Sequence, residues 1–165
     1  MQAFNMLVLG RGYGAVMPAD VAEAAGVARS TLYEHFAGKE EMLQRSLLPI
    51  LQPLAECVGS HEAPPGLEFT LEHIRCSRTM ARELLGGRAR TVAARTLAQL
   101  IEAQLPQLPA GGSGMPRPLM AACLAGAILA LIEEWLTGRE ACPVPVLAGA
   151  LQASTHAAAS AWSRP

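Results

Sequence analysis

The stretch from Asp20 to Leu43, DVAEAAGVARSTLYEHFAGKEEML, limits the fold more than any other part of this chain. Two short apolar-periodic runs meet in it at one glycine, Gly26. An isolated helix below about 12–15 residues is marginal in water, so each run must be held by a shared core. Val21 and Ala25 stand one helical turn apart, and Ala22 precedes Gly26 by four positions. A small residue lets the next helix approach closely, and glycine takes the left-handed conformation that turns the chain. Val27 is expected to pack inward, with Leu32 and Phe36 continuing the apolar stripe. At about 100° per residue, Arg29, Ser30 and Tyr33 then share one arc away from Leu32. A tight helical hairpin with a solvated polar face would read the same way, so the outward residues must decide between the two.

The remainder also reads as helix. No segment alternates strictly like a half-buried strand, and the β-branched stretches are embedded in helix-favouring Ala, Leu and Glu. The expected fold is all-α, with helices at 2–9, 18–26, 28–36, 38–58, 67–85, 88–105, 117–137 and 144–162. GSHEAPPG (59–66) and the breaker-rich 106–118 separate them as loops. A boundary inside the fourth helix divides a three-helix head, 1–46, from a helical bundle, 47–165. At 165 residues and 51% hydrophobic content the chain has ample material for a core.

MQAFNMLVLG lacks the charged start and cleavage site of a signal peptide. The longest apolar run, Leu119 to Ile132, ends at Glu133 and falls short of the roughly 18 residues of a membrane span. Four cysteines without a secretion signal are expected to stay reduced. These features predict a cytoplasmic protein with no membrane partner. A net charge of −1 argues against a general polyanion binder, so contact with nucleic acid would have to be local.

Local chemistry for a duplex is present. The major groove, about 12 Å wide, admits one helix, and an arginine near its start donates two parallel bonds to guanine O6 and N7. Arg29 has that place, Ser30 and Thr31 are short enough to allow close approach, and Tyr33 and His35 reach phosphates. Lys39 follows Gly38 at a helix start, where free N–H groups favour an anion.

Residues 9–47, LGRGYGAVMPADVAEAAGVARSTLYEHFAGKEEMLQRSL, resemble the DNA-binding region of the TetR (tetracycline-repressor-like) family of regulators. The matching residues are Gly12 and Tyr13, Val21 and Ala22, Ala25 to Val27, Thr31 to Tyr33, His35 and Phe36, and Lys39 and Glu40. The resemblance implies a homodimer that places its third helices in successive major grooves of an operator. It also implies DNA contacts at Arg29, Ser30, Thr31, Tyr33, His35 and Lys39. Two departures stand out. The basic stretch that usually precedes the first helix is lacking, and Met17 replaces the usual capping hydroxyl. Residues 1–47 hold four basic and five acidic side chains, which predicts weak binding or a start upstream of Met1.

In the bundle the resemblance implies dimerisation and a small-molecule effector. The last two helices are rich in small residues, with Ala122, Gly126 and Ala130 at fours. The expected interface is Leu124, Ile128, Leu131, Trp135, Leu147, Ala150, Leu151 and Ser154, unless both helices simply fill a monomer's core. The effector pocket is expected among the helices at 48–58, 67–85 and 88–105, lined by His73, Arg75, Arg78 and Met80. Arg75, Arg78 and Arg82 share a helical face, either solvated and paired with glutamates or anchoring an anionic ligand.

Cys57, His61, His73 and Cys76 have helical ligand spacings for zinc, although buried cysteine commonly serves as a small apolar residue. No nucleophile elbow, phosphate loop or HExxH is present, and Glu133 and Glu134 point about 100° apart, so neither enzyme nor cofactor is expected. The expectation is a ligand-responsive regulator, most simply a repressor. The competing readings are a binding or dimerisation protein with a decayed head, and a metal sensor.

Overall fold

The computed structural model describes residues 1–85, 87–105, 115–139 and 141–162. Among them every regular element is an α-helix: α1 (Gln2–Ala15), α2 (Pro18–Ala25), α3 (Arg29–His35), α4 (Lys39–Glu56), α5 (Leu67–Cys76), α6 (Arg78–Leu85), α7 (Gly87–Gln104), α8 (Arg117–Thr137) and α9 (Val144–Trp162). The expected bounds of α8 and α9 coincide with the observed ones, and α2, α3, α4 and α7 lie within a residue or two of expectation. Most of the expected loop at 106–118 lies outside the described residues.

Two expectations about helix bounds are corrected. The first helix does not stop at its glycines: it runs to Ala15, and within it Gly12 alone leaves helical geometry, at φ 74° and ψ 149°. A side chain there would be strained, and its Cβ would lie 2.6 Å from Glu83 Oε1 on α6. The segment 67–85 is two helices, because Ser77 (φ −98°, ψ 32°) breaks it between α5 and α6. The break falls in a run of mostly weaker helix formers, His73 to Thr79, that contains neither Gly nor Pro.

Local chemistry accounts for the head. Pro18 fits the first turn of α2, and Asp20 Oδ2 accepts the Met17 N–H at 3.0 Å, which preserves half of a capping box despite the lost hydroxyl. Gly26 (φ 66°) ends the helix. Val27 N–H donates to Ala22 O (3.0 Å) and Gly26 N–H to Glu23 O (3.1 Å), the bond pair of a left-handed helix stop. The turn thus uses Val27's backbone, and its side chain stays 41% exposed rather than packing inward as expected. Ala25 is likewise exposed. Val21, Ala22 and Leu32 close instead on a core that includes Phe4, Val8, Tyr13 and Val16.

From there α4 carries the chain into the bundle, with Leu43, Leu47, Leu51 and Leu54 buried and α7 packed alongside. Pro49 and Pro53 lie inside it and lack N–H groups, so the carbonyls of Arg45 and Pro49 lose their helical donors just past residue 46. By length and composition α8 is the one described helix able to cross a membrane, but Leu124, Ile128 and Ile132 are buried in the core where it packs on α7.

Candidate functional site

Leu32, 6% exposed, pins α3 to the head's core and thereby sets which side chains face out. Arg29, Ser30 and His35 are exposed, Tyr33 is 55% exposed, and Thr31 is half-buried beside them. The structure therefore brings five of the six expected DNA-facing residues onto one short helix, with Arg29 at its first position.

The head's cations are committed unequally. Arg11 lies 3.9 Å from Asp20, and Arg45 pairs with Glu41 at 2.8 Å while its guanidinium covers the Phe36 ring. Lys39 Nζ donates to Tyr13 O (2.9 Å) and Gly14 O (3.2 Å) and sits over the Tyr13 ring. Burial, then the Arg88 charge, lowers its pKa from the usual lysine value. Lys39 thus closes the carboxyl end of α1 with two of its three N–H groups. The start of α4, expected to favour an anion, already holds one: Glu41 Oε2 accepts the Ala37 N–H at 2.7 Å. That bond, then Arg45, holds the Glu41 carboxyl below the usual carboxylate range. Among the head's arginines and lysine, Arg29 alone has a side chain with no ion pair or hydrogen bond to the described residues.

A second feature lies where head meets bundle. A partly open cavity of about 400 Å³ is bounded by α1, α4, α5 and α6, with Ala93 of α7 and Leu129 and Ile132 of α8 behind. His73 and Met80 line it as expected; Arg75 and Arg78 do not. Arg75 is exposed and donates through Nε to Glu72 at 3.0 Å. Arg78 lies with Arg75 along a separate groove beside Trp135 and Pro143, its guanidinium against Gly138, where a Cβ would come 2.7 Å from Nη2. A cation there complements the carboxyl end of α8. Wall residues missed from sequence include Phe4, Asn5 and Val8 of the head itself, and Ser46 and Ser77. The signal that could have found the first three is the spacing of Phe4 and Val8, which marks an inward face with Asn5 beside it.

The residues expected at a dimer interface divide into two groups. Leu124, Ile128, Leu147 and Leu151 are buried in the chain's own core, while Trp135 is half-buried with Nε1 donating to Cys142 O at 2.9 Å. Leu131, Ala150 and Ser154 are exposed. Leu124, Ile128, Leu147 and Leu151 fill the chain's own core, which leaves a stripe of small residues on the outside. Ala122 and Ala130 are exposed, as are Gly149, Ala153 and Ala157 on α9, and a Cβ at Gly126 or Gly149 would meet nothing.

The zinc spacing does not assemble. Cys57 is buried, its thiol donates to Pro53 O, and burial pushes its pKa up to about 12, whereas Cys76 is exposed. His61 packs against His156 instead, ring centroids 4.3 Å apart and planes tilted by 52°. Among the described residues no group of three or more His, Cys, Asp or Glu is placed to hold a metal. Glu133 and Glu134 pair separately with Arg90 (2.7 Å) and Arg139 (3.7 Å).

Residues 5–45 match the sequence model of the bacterial regulatory proteins of the tetR family. No curated protein matches the chain. Three solved structures share its fold over nearly their whole lengths. The TetR family repressor AlkX from Dietzia sp. strain DQ12-45-1b, implicated in biodegradation of n-alkanes, is 20% identical with a TM-score of 0.53, covering 99% of this chain and 97% of that one. NalD, the secondary repressor of a multidrug efflux pump in Pseudomonas aeruginosa, is 20% identical at 0.54, covering 95% and 92%. The fatty acid degradation regulator FadR from Bacillus halodurans is 14% identical at 0.50, covering 93% and 90%. At these identities the likeness is one of fold.

Proposed function

We propose, from the premise that this chain belongs to the TetR family of DNA-binding transcriptional regulators, that it works as a ligand-responsive repressor. In this reading it is a cytoplasmic homodimer on a double-stranded operator. Residues 1–46 form the DNA-binding head and 47–165 the effector-binding and dimerisation domain. Arg29 reads a base, Ser30 and Thr31 fit against the groove, and Tyr33 and His35 hold phosphates; Lys39 has one N–H left for a phosphate beyond its bonds to α1. The observation that carries the reading is the exposed face of α3, with an uncommitted arginine at its start and Leu32 locked beneath.

Pairing two heads fixes their separation, and recognition helices about 34–36 Å apart match one turn of DNA. Dimerisation through the outer faces of α8 and α9 is supported by their unpartnered small residues, beside which Leu119 and Val146 are each 60% exposed. An effector binding better to a wrongly spaced arrangement would release the operator, and only that difference in affinity shifts the equilibrium.

The test is a gel-shift titration at low salt with DNA flanking the chain's own gene, alongside sedimentation. Retardation by a species of dimer mass is expected, with Ala150→Arg giving monomers that bind at least tenfold more weakly. No retardation would favour a second reading, a ligand-binding protein with a decayed head, for which the head's charge balance and the engaged Lys39 speak.

A further inference from the structure

We infer that the cavity takes a neutral, largely apolar compound with one hydrogen-bonding group, and that the Asn5–Ser46 pair senses it. This deepens the repressor reading and rests on it for the sensing step alone. Among the described residues that line the cavity none is Asp, Glu, Lys or Arg. The wall is dominated by leucine, isoleucine and valine side chains with Met80 and Phe4. Against the apolar inner wall, away from His73 at the open side, a carboxylate or ammonium would lose hydration with no Asp, Glu, Lys or Arg beside it, which is unfavourable. The arginines that could have welcomed an anion lie outside it, on a separate groove beside Trp135, with Arg75 bonded to Glu72. The volume, about 400 Å³, encloses a small organic molecule rather than a lone water or ion.

Polar groups enter the wall at two places. His73 is exposed and Ser77 sits at the break between α5 and α6, so this pair lies toward solvent. Asn5 and Ser46 are part-buried, and Ser46 Oγ donates to Asn5 Oδ1 at 2.7 Å. That bond joins the head's first helix to α4. Both partners keep spare capacity: the Asn5 amide has two N–H donors, and the serine oxygen has free lone pairs. A hydroxyl or carbonyl brought into the cavity offers each a new partner at the place where the two helices are tied. Phe4 and Val8 flank Asn5 on α1, so the same occupant presses on the head directly. Exchange of the Ser46–Asn5 bond for bonds to the ligand loosens α1 from α4 and changes how the head is carried.

The experiment uses the full chain at pH 7.5 and two matched probe pairs, 1-octanol with octanoate and 2-naphthol with 2-naphthoate. Binding is read by calorimetry, and operator affinity by anisotropy with and without saturating probe. At least one alcohol is expected to bind tenfold or more tightly than its carboxylate twin, with Ala81→Trp, which fills the cavity, abolishing the heat. Saturation should weaken operator binding at least tenfold. Ser46→Ala should keep alcohol binding within threefold, hold the operator as weakly as the saturated wild type, and respond to alcohol by less than twofold. A carboxylate matching its alcohol, no binding in either pair, or alcohol binding that survives Ala81→Trp would overturn the assigned chemistry. A Ser46→Ala chain that binds and releases operator like wild type would overturn the sensing role. Failure of the wild type to bind DNA would instead defeat the repressor reading and the sensing step with it, leaving the neutral-ligand assignment to the calorimetry.

Discussion

The head surrounds a small core and turns its chemistry outward on α3, whereas the bundle turns its chemistry inward around a cavity. In the head one buried leucine, one left-handed glycine and a seven-residue helix suffice to aim Arg29, Ser30 and Tyr33. In the bundle the lining depends on where α5 ends, how α6 is rotated and which side of α8 the core claims. Outward chemistry tolerates change elsewhere in the chain; inward chemistry is redrawn whenever a helix breaks one residue sooner. A shared wall links the two regions, since Phe4, Asn5 and Val8 of the head face the cavity.

The strongest way to break this contrast is to remove the head's pin. Leu32→Ala should cost about 2–5 kcal/mol, as for other buried leucines, and abolish operator binding. Urea titration and gel shift check both; operator affinity that survives would mean α3 is not aimed by its core. Arg29→Ala should leave stability unchanged and weaken specific binding by about 1–3 kcal/mol. Comparing operator with scrambled DNA sharpens the assignment, because equal weakening on both would make Arg29 a phosphate clamp. Gly26→Ala should destabilise by about 1–2 kcal/mol in the same urea titration, the cost of a side chain in the left-handed region, although space there is open.

The smallest effect compares two exposed carboxylates. Glu41 is held below its ordinary pKa of 4.5 chiefly by the Ala37 N–H, and Glu72 chiefly by Arg75. A depressed folded-state pKa gives stability that is fully present above the unfolded value and lost as pH falls through the folded one. Both contributions should therefore fade in acid below about pH 4.5, and both are small at exposed sites. Glu41→Gln should reduce the acid sensitivity of thermal stability even in 1 M salt, where the effect of Glu72→Gln vanishes, because salt screens an exposed ion pair more than a backbone hydrogen bond.

What can be read from the chain follows the same division. Pro18, Gly26 and the spacing of Leu32 from Arg29 encode the head in near neighbours, so turn, helix and exposed face are all legible. Long helices with clear stops, α8 and α9, are legible too. Ser77 is not, because HIRCSRT is a run of mostly weaker helix formers without Gly or Pro, and such small propensity differences do not say where a helix ends. Arg75 and Arg78 stay together, but on a groove beside Trp135 that no local pattern announces. Leu124, Ile128, Leu147 and Leu151 look like a partner's surface in sequence because a nearly uniform apolar helix does not say which side its own core will claim. The bonds from Lys39 to Tyr13 and Gly14 span more than twenty positions of sequence, so no local pattern reveals that this lysine is already engaged.

The most direct test of the central claim is hydroxyl-radical footprinting of wild-type and Arg29→Ala protein on DNA flanking the gene. Two protected patches about 10 base pairs apart on one face of the duplex are expected, related by a two-fold axis, with both fading in the variant at the same protein concentration. A single patch, or protection unchanged by Arg29→Ala, would contradict it.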